Sequence, residues 1–360
     1  MRPLDGMRGI GACVIAFFFH YIHFLSDSNG LLVYDDHPLY FLFPNLVEYG
    51  WLAVELFLLL SGMTFATFYE TRIHDKIVTG KQFFIARFSR IYPVYCSILL
   101  ATVVIQLVYQ GLVFENFHTQ NNTLFNLFLS FLLMQSWGIS DGGAFNQPTW
   151  TLSVEVLCYV IFYLVCRKIR KPIYSYIVLF LLTIVLFRNG FIIDLVARGL
   201  AVFFLGAISA HALPKLSKIC QNKNIGIIVN ILFVLSIIIG YLFWNRKNDL
   251  FGQSILEIGI AVSVFCFIPA IYLIINIPVL NKLFQLKPLE WLGKVSFSIY
   301  IIHFPVQTLL DLLNRQFLIG FDYKSVSFWL GYVLVSISVA IVVHYYIELP
   351  AKTWLRKPAL

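Results

Sequence analysis

Apolar runs long enough to cross a bilayer recur along the chain, near residues 9–27, 49–69, 91–112, 149–166, 172–187, 191–212, 225–244, 255–276, 295–312 and 327–347. A hydrocarbon core about 30 Å thick takes about 20 helical residues, so each run predicts a transmembrane helix. One further run, 124–137, has only 14 residues. Loop charge decides whether it crosses, because Lys and Arg collect on the cytosolic side. If it crosses, the cluster Arg167-Lys168-Ile169-Arg170-Lys171 and the C-terminal bases fall outside. If it does not, the cytosolic segments hold 20 of the 26 Lys and Arg. The outer segment 28–48 then carries Asp35, Asp36 and Glu48 and no base. The expected fold is an all-α polytopic membrane protein with ten transmembrane helices and both termini cytosolic. The short segment at about 124–137 is expected to be re-entrant or interfacial, leading through Gly142-Gly143 into Trp150.

Composition agrees with that pattern. Hydrophobic residues make up 59% of the 360 and charged residues 12%, against roughly a quarter charged in soluble domains. The net charge of +8 does not point to nucleic acid, because the bases sit in short clusters between apolar runs, where they report topology. The six cysteines show no paired spacing and no disulfide framework. The first run lacks a small-residue cleavage site and carries His20, so it reads as an uncleaved helix. There is no fixed-period repeat and no low-complexity tract. A single transmembrane domain over 1–360, without an appended soluble domain, is expected, so chemistry belongs among the helices or their short loops.

Ionisable groups inside these runs are the candidates for that chemistry, since a charge in the membrane is costly and defaults to a functional reading. At 1.5 Å per residue, His20 lies roughly 10 Å from the outer end of its helix, Glu55 roughly 8 Å, Glu155 roughly 9 Å, Arg198 roughly 10 Å and His303 roughly 13 Å. Five groups from five helices thus share one depth band. Each also has a plainer reading. His20 can serve as a packing hydrogen bond, and His23 as an interfacial group. Glu155 and Glu55 can pair structurally with Arg198, itself a counter-ion. Ser61-Gly62 allows close helix approach, and the Trp and Tyr near run ends form interfacial belts. A second layer at the cytosolic face holds Arg8, Arg87 and Arg90, with Lys81, Lys294, His344 and Glu348. Arginine pairs bind phosphate bidentately, but these also suit lipid headgroups or topology alone. No metal-ligand constellation, P-loop or dinucleotide fingerprint is present. From the residues alone, a membrane enzyme and a proton-coupled transporter both remain open.

Six segments narrow the choice. Leu4-Asp5-Gly6-Met7-Arg8-Gly9-Ile10, the stretch Val54-Glu55 through Ser61-Gly62, and Arg87-Phe88-Ser89-Arg90-Ile91-Tyr92-Pro93 are followed by Trp150-Thr151-Leu152-Ser153-Val154-Glu155, Ser298-Ile299-Tyr300-Ile301-Ile302-His303 and Glu348-Leu349-Pro350. In that order they resemble the motifs of the acyltransferase-3 family of integral membrane O-acyltransferases. The resemblance implies ten core helices in the plasma or inner membrane. It also implies an acyl-CoA co-substrate, most often acetyl-CoA, with no tightly bound cofactor, and an acceptor hydroxyl on an envelope saccharide or lipid-linked glycan. A homo-oligomer is compatible with it.

On that basis His20 and Glu155 are the expected catalytic residues, and Arg8, Arg87 and Arg90 the acyl-CoA-binding ones. Glu55, Trp150, Ser153, Arg198, Tyr300 and His303 are expected to hold the acceptor or support the site. A proton-coupled transporter or flippase using the same His and Glu groups is the alternative. One departure stands out. The family places the helix-1 histidine eleven residues after the arginine, whereas His20 is twelve after Arg8. At 100° per residue this turns a 20° offset into 120°. A one-residue bulge within Gly9-Ile10-Gly11-Ala12 would restore the register.

Overall fold

The structure, a computed structural model, describes residues 2–25, 32–113, 122–140, 145–244 and 254–356. Helices dominate these residues, and no strand occurs among them. Nine helical segments among the described residues are long and apolar enough to cross a membrane: Pro3–Phe24, Pro44–His74, Gly80–Val113, Gln147–Lys168, Asp194–Ile219, Lys223–Leu242, Ile255–Asn276, Lys287–Phe317 and Val326–Leu355. The tenth expected run forms a shorter apolar helix, Ile173–Arg188. Its 16 residues reach about 24 Å, somewhat less than the core thickness.

The 124–137 stretch contains only an eight-residue helix, Leu124–Phe131, about 12 Å long and far too short to span. Thr123 caps its start by accepting a hydrogen bond from the Asn126 amide. Its end is set by Leu133, which takes a left-handed φ of 55°, while the Met134 amide reaches back to the Leu129 carbonyl at 2.9 Å. That pair of features is a Schellman stop. The Gly142-Gly143 passage lies outside the described residues.

The chain divides into two compact units. The first comprises Met1–Arg8, Val54–Thr79 and Val154–Trp291. Within it, helices Ala53–His74 and Asp194–Ile219 meet backbone to backbone. A Cβ on Gly62 would lie 1.9 Å from the Phe203 carbonyl oxygen, and one on Gly206 would lie 2.1 Å from that of Leu59. Only glycine permits this approach, which fits the small-residue interfaces of membrane helices. Phe65, Tyr159, Phe162 and Phe203 fill the space beside it with stacked and edge-on rings.

The second unit comprises Gly9–Ala53, Gly80–Ser153 and Leu292–Leu360. Its centre is helix Lys287–Phe317, whose stretch Ser298–Thr308 is buried throughout. Pro305 lies inside this helix. Proline has no N–H, so the carbonyl four residues earlier loses its helical donor. That carbonyl belongs to Ile301, and the Asn146 side-chain amide donates to it at 3.0 Å. A side chain just before helix Trp150–Lys168 thereby repairs the break and anchors that helix's entry. Tyr300 adds to the anchor: its hydroxyl donates to the Pro148 carbonyl at 2.6 Å and lies 2.9 Å from Thr151 Oγ1.

Candidate functional site

The first helix delivers His20 through an irregular stretch. The α-helix Arg2–Val14 runs into a π turn over Ile15–Phe19 and then a tighter 3-10 turn over His20–Phe24. The His20 amide donates to the Ile15 carbonyl, five residues back. A π turn takes up about one residue more than an α turn. The twelve-residue spacing from Arg8 is therefore absorbed, but at 15–19 and not within Gly9–Ala12, which stays α-helical. Gly9 serves packing instead: a Cβ there would meet the Gly293 amide nitrogen at 2.8 Å.

Changes of helix type release carbonyls from the regular ladder, and buried carbonyls need donors. Four side chains supply them. Tyr332 donates to the Ala16 carbonyl at 3.1 Å. Trp329 donates to Phe17 at 2.8 Å, with His37 Nε2 at 3.4 Å from the same oxygen. Gln307 donates to the His20 carbonyl at 2.7 Å. The distortion that aims His20 is thus held by three other segments of the same unit.

His20 Nδ1 lies 2.7 Å from His303 Nε2. The two rings meet edge to edge, with centroids 4.9 Å apart and planes 12° apart, and the His23 ring centroid lies 5.1 Å from that of His20. His303 is fully buried. Its Nδ1 makes no well-formed hydrogen bond, although the Ile299 and Tyr300 carbonyls lie beside it. Those acceptors favour a proton on His303 Nδ1, which leaves Nε2 as an acceptor. With that tautomer His20 Nδ1 donates to His303 Nε2. This tautomer follows from the hydrogen-bond network.

In the first unit, Glu155 Oε1 accepts a 2.6 Å hydrogen bond from Ser61. Thr64 lies on the same face one turn further on and accepts from Arg8 Nη2 at 2.9 Å, while Arg8 Nη1 contacts Asp5 at 2.9 Å. A line of polar groups thus runs along helix Ala53–His74 from Arg8 to Glu155. Glu55 is fully buried, and its Oε1 receives both Nε and Nη2 of Arg198 at 2.8 Å. Asp194 stands 3.9 Å from the same guanidinium. Gly259 makes room for this pair, since a Cβ there would come within 2.9 Å of Glu55 Oε1. Removing one partner of such a buried pair strands a charge, so Glu55 and Arg198 have the geometry of a structural ion pair.

The remaining expected residues also have definite places. Ser153 is buried and ties down the turn before its helix: its Oγ accepts from the Ser136 amide at 3.2 Å, and its carbonyl accepts from Trp137 at 2.9 Å. Trp150 opens that helix. Arg87 and Arg90 sit three residues apart near the start of Gly80–Val113, both partly buried. Among the described residues, no group of three His, Cys, Asp or Glu is placed to hold a metal ion. Sequence reasoning put His20 and His303 at one depth but did not pair them. It also passed over Gln307, Trp329, Tyr332 and Asn146. The one available signal was Pro305 inside an apolar run, which demands a donor for Ile301.

The chain is 25% identical over 295 residues to the peptidoglycan O-acetyltransferase OatA of Listeria monocytogenes, covering 72% of this chain and 45% of that protein. It is 32% identical over 135 residues to the acyltransferase MdmB of Streptomyces mycarofaciens, covering 35% of this chain and 31% of that one. The chain thus spans under half the length of either relative. No solved structure matches it. The acyltransferase domain model, by contrast, matches residues 2–345, nearly the whole chain and every motif segment but the last, Glu348-Leu349-Pro350, and on that match the protein belongs to the acyltransferase-3 family of multi-pass membrane proteins.

Proposed function

We propose that this protein is a membrane O-acyltransferase that moves an acyl group, most simply acetyl, from cytosolic acyl-CoA to a hydroxyl of an envelope or exported saccharide. Ten crossings with both termini cytosolic, in the plasma or inner membrane, complete the reading. The observation that carries it is the 2.7 Å contact between His20 and His303, which orients the His20 ring.

In the proposed reaction the acceptor hydroxyl approaches His20 Nε2. As its oxygen attacks the thioester carbonyl, its proton passes to Nε2. The imidazolium so formed is stabilised through its Nδ1–H to His303, which stays neutral and fixes the ring's orientation. Collapse of the tetrahedral intermediate breaks the C–S bond, and the departing thiolate takes the proton from Nε2. The products are the ester and the free thiol. Arg87 and Arg90 are assigned to the donor's phosphates by the strength of arginine–phosphate pairing. Arg8 is assigned to the same donor, and Glu155, with its hydrogen bond from Ser61, is kept as the second catalytic candidate. Membership in the family and the OatA and MdmB likenesses support acyl transfer. The acidic, base-free segment 28–48 supports acceptor entry from the outer side.

The test is a mass comparison of envelope glycans from cells with the protein, without it, and with His20→Ala. A gain of one acyl group per modified sugar that needs both the protein and His20 is expected. Identical glycans in all three would refute the proposal, and a gain that survives His20→Ala would remove His20 from the chemistry.

A further inference from the structure

A groove of about 600 Å³ opens beside the end of the first helix, lined by Asp35, Asp36, His37, Pro38, Tyr40, Phe41, Pro44 and Lys324. Its volume falls in the range of small-molecule sites. All of it belongs to the second unit. It adjoins the base closely. His37 packs edge-on against Tyr21 at 4.9 Å and stacks on Phe18 at 5.8 Å, and both residues flank the turn that presents His20. His37, in the groove lining, thus touches rings on both sequence neighbours of the Phe19–His20 turn.

Its chemistry is specific. Phe41, in the lining, is 94% exposed among the described residues, an apolar face open to a ligand. Two carboxylates, Asp35 and Asp36, share the lining. Lys324 is committed to Asp36 at 2.7 Å, and the Tyr40 hydroxyl is committed to Glu48. An aromatic face beside carboxylates suits a sugar ring, whose C–H face packs on the aromatic while its hydroxyls donate to the carboxylates. The charge balance is acidic, and residues 28–48 contribute no Lys or Arg. Anionic phospholipid headgroups and polyanionic glycans are disfavoured by the same carboxylates.

From this we infer that the groove binds a neutral or amine-bearing sugar unit of the acceptor and holds it next to the unit being acylated. The inference rests on the acyl-transfer reading for its biological meaning, but its test does not. Saturation-transfer NMR on the full chain in nanodiscs, with no acyl donor present, measures binding of chitotetraose (neutral) and tetragalacturonate (anionic). Wild type is expected to give signals from chitotetraose and far weaker ones from tetragalacturonate. Phe41→Ala and Asp35→Asn are each expected to weaken chitotetraose binding about tenfold, the equivalent of about 1.4 kcal/mol. A Leu124→Ala control, distant in sequence and exposed, keeps it. A Phe41→Trp reporter should shift its emission with chitotetraose.

Binding unchanged in both variants, or equal signals from the two sugars, would overturn the inference. So would a Phe41→Trp signal quenched by brominated lipid and indifferent to sugar, which would make Phe41 a membrane anchor. A chain that binds chitotetraose but transfers no acyl group would refute the transferase reading and leave the groove standing. One that transfers while both variants bind like wild type would do the reverse.

Discussion

Replacing His303 by leucine removes the acceptor of the His20 Nδ1 proton while keeping an apolar side chain of similar bulk in a fully buried position. Without His303 Nε2 the His20 ring loses its fixed tautomer, and the imidazolium formed on attack has no partner at 2.7 Å. A hydrogen bond to a charged group contributes about 1.5–3 kcal/mol. Because this one gains strength only as His20 becomes charged, the loss belongs to the transition state and lowers kcat by about 10- to 150-fold. A glutamine at 303 retains an amide oxygen that can accept the same proton, so His303→Gln should recover to within about tenfold of wild type. The assay is acyl transfer by the purified full chain at saturating donor and acceptor, with thermal melting of each variant to show that the fold is intact. His20→Ala sets the floor, at about 100- to 10,000-fold below wild type. If His303→Leu melts like wild type and turns over within twofold of it, the pair is a packing contact and the reasoning fails.

Three further outcomes follow from other parts of the molecule. Arg198→Met should destabilise by about 3–5 kcal/mol because it strands buried Glu55, whereas Glu55→Leu combined with Arg198→Met should recover most of the loss; a single variant that melts like wild type would contradict the pairing. Asn146→Leu should cost about 1–3 kcal/mol by leaving the Ile301 carbonyl without a donor, and an unchanged melting temperature would show that Pro305 needs no such repair. His37 lies outside the membrane-spanning segments, and burial pushes it down to about 4 from an ordinary value of 6.5. Its neutral form accepts the Leu39 amide on Nδ1 at 3.0 Å, and protonation destroys that bond. The unfolded chain therefore binds the extra proton between pH 6.5 and 4. Stability is full above 6.5 and falls on acidification through that window by up to about 3 kcal/mol. His37→Gln should remove that part of the pH dependence, and identical pH profiles would refute it.

Much of the architecture could be read from the residues because a bilayer imposes simple rules. Apolar length marks each helix, and nine of the ten expected runs appear as helices of spanning length, with 173–188 shorter. The 124–137 stretch was set apart by its length and by loop charge. The structure adds the cause of its brevity, a left-handed Leu133 that no composition rule would flag. The site was legible as a set of costly ionisable groups, and depth alone brought His20 level with His303. Depth has no azimuth, so it could not say which groups touch. That information resides in local irregularities: the π turn at Ile15–Phe19, the proline at 305, and the polar side chains that satisfy the carbonyls both expose. Glu155 illustrates the same limit. Its depth marked it as costly, but depth could not name the Ser61 hydroxyl on helix Ala53–His74 as its partner.

The most direct measurement of the central claim is a single-turnover experiment with the purified chain, radiolabelled acyl-CoA and a saccharide acceptor. Wild type should move label to the sugar with matching release of free thiol, His303→Leu should do so more slowly, and folded His20→Ala should be slowest, at least about 100-fold below wild type. Label transfer by His20→Ala at the wild-type rate would contradict the account.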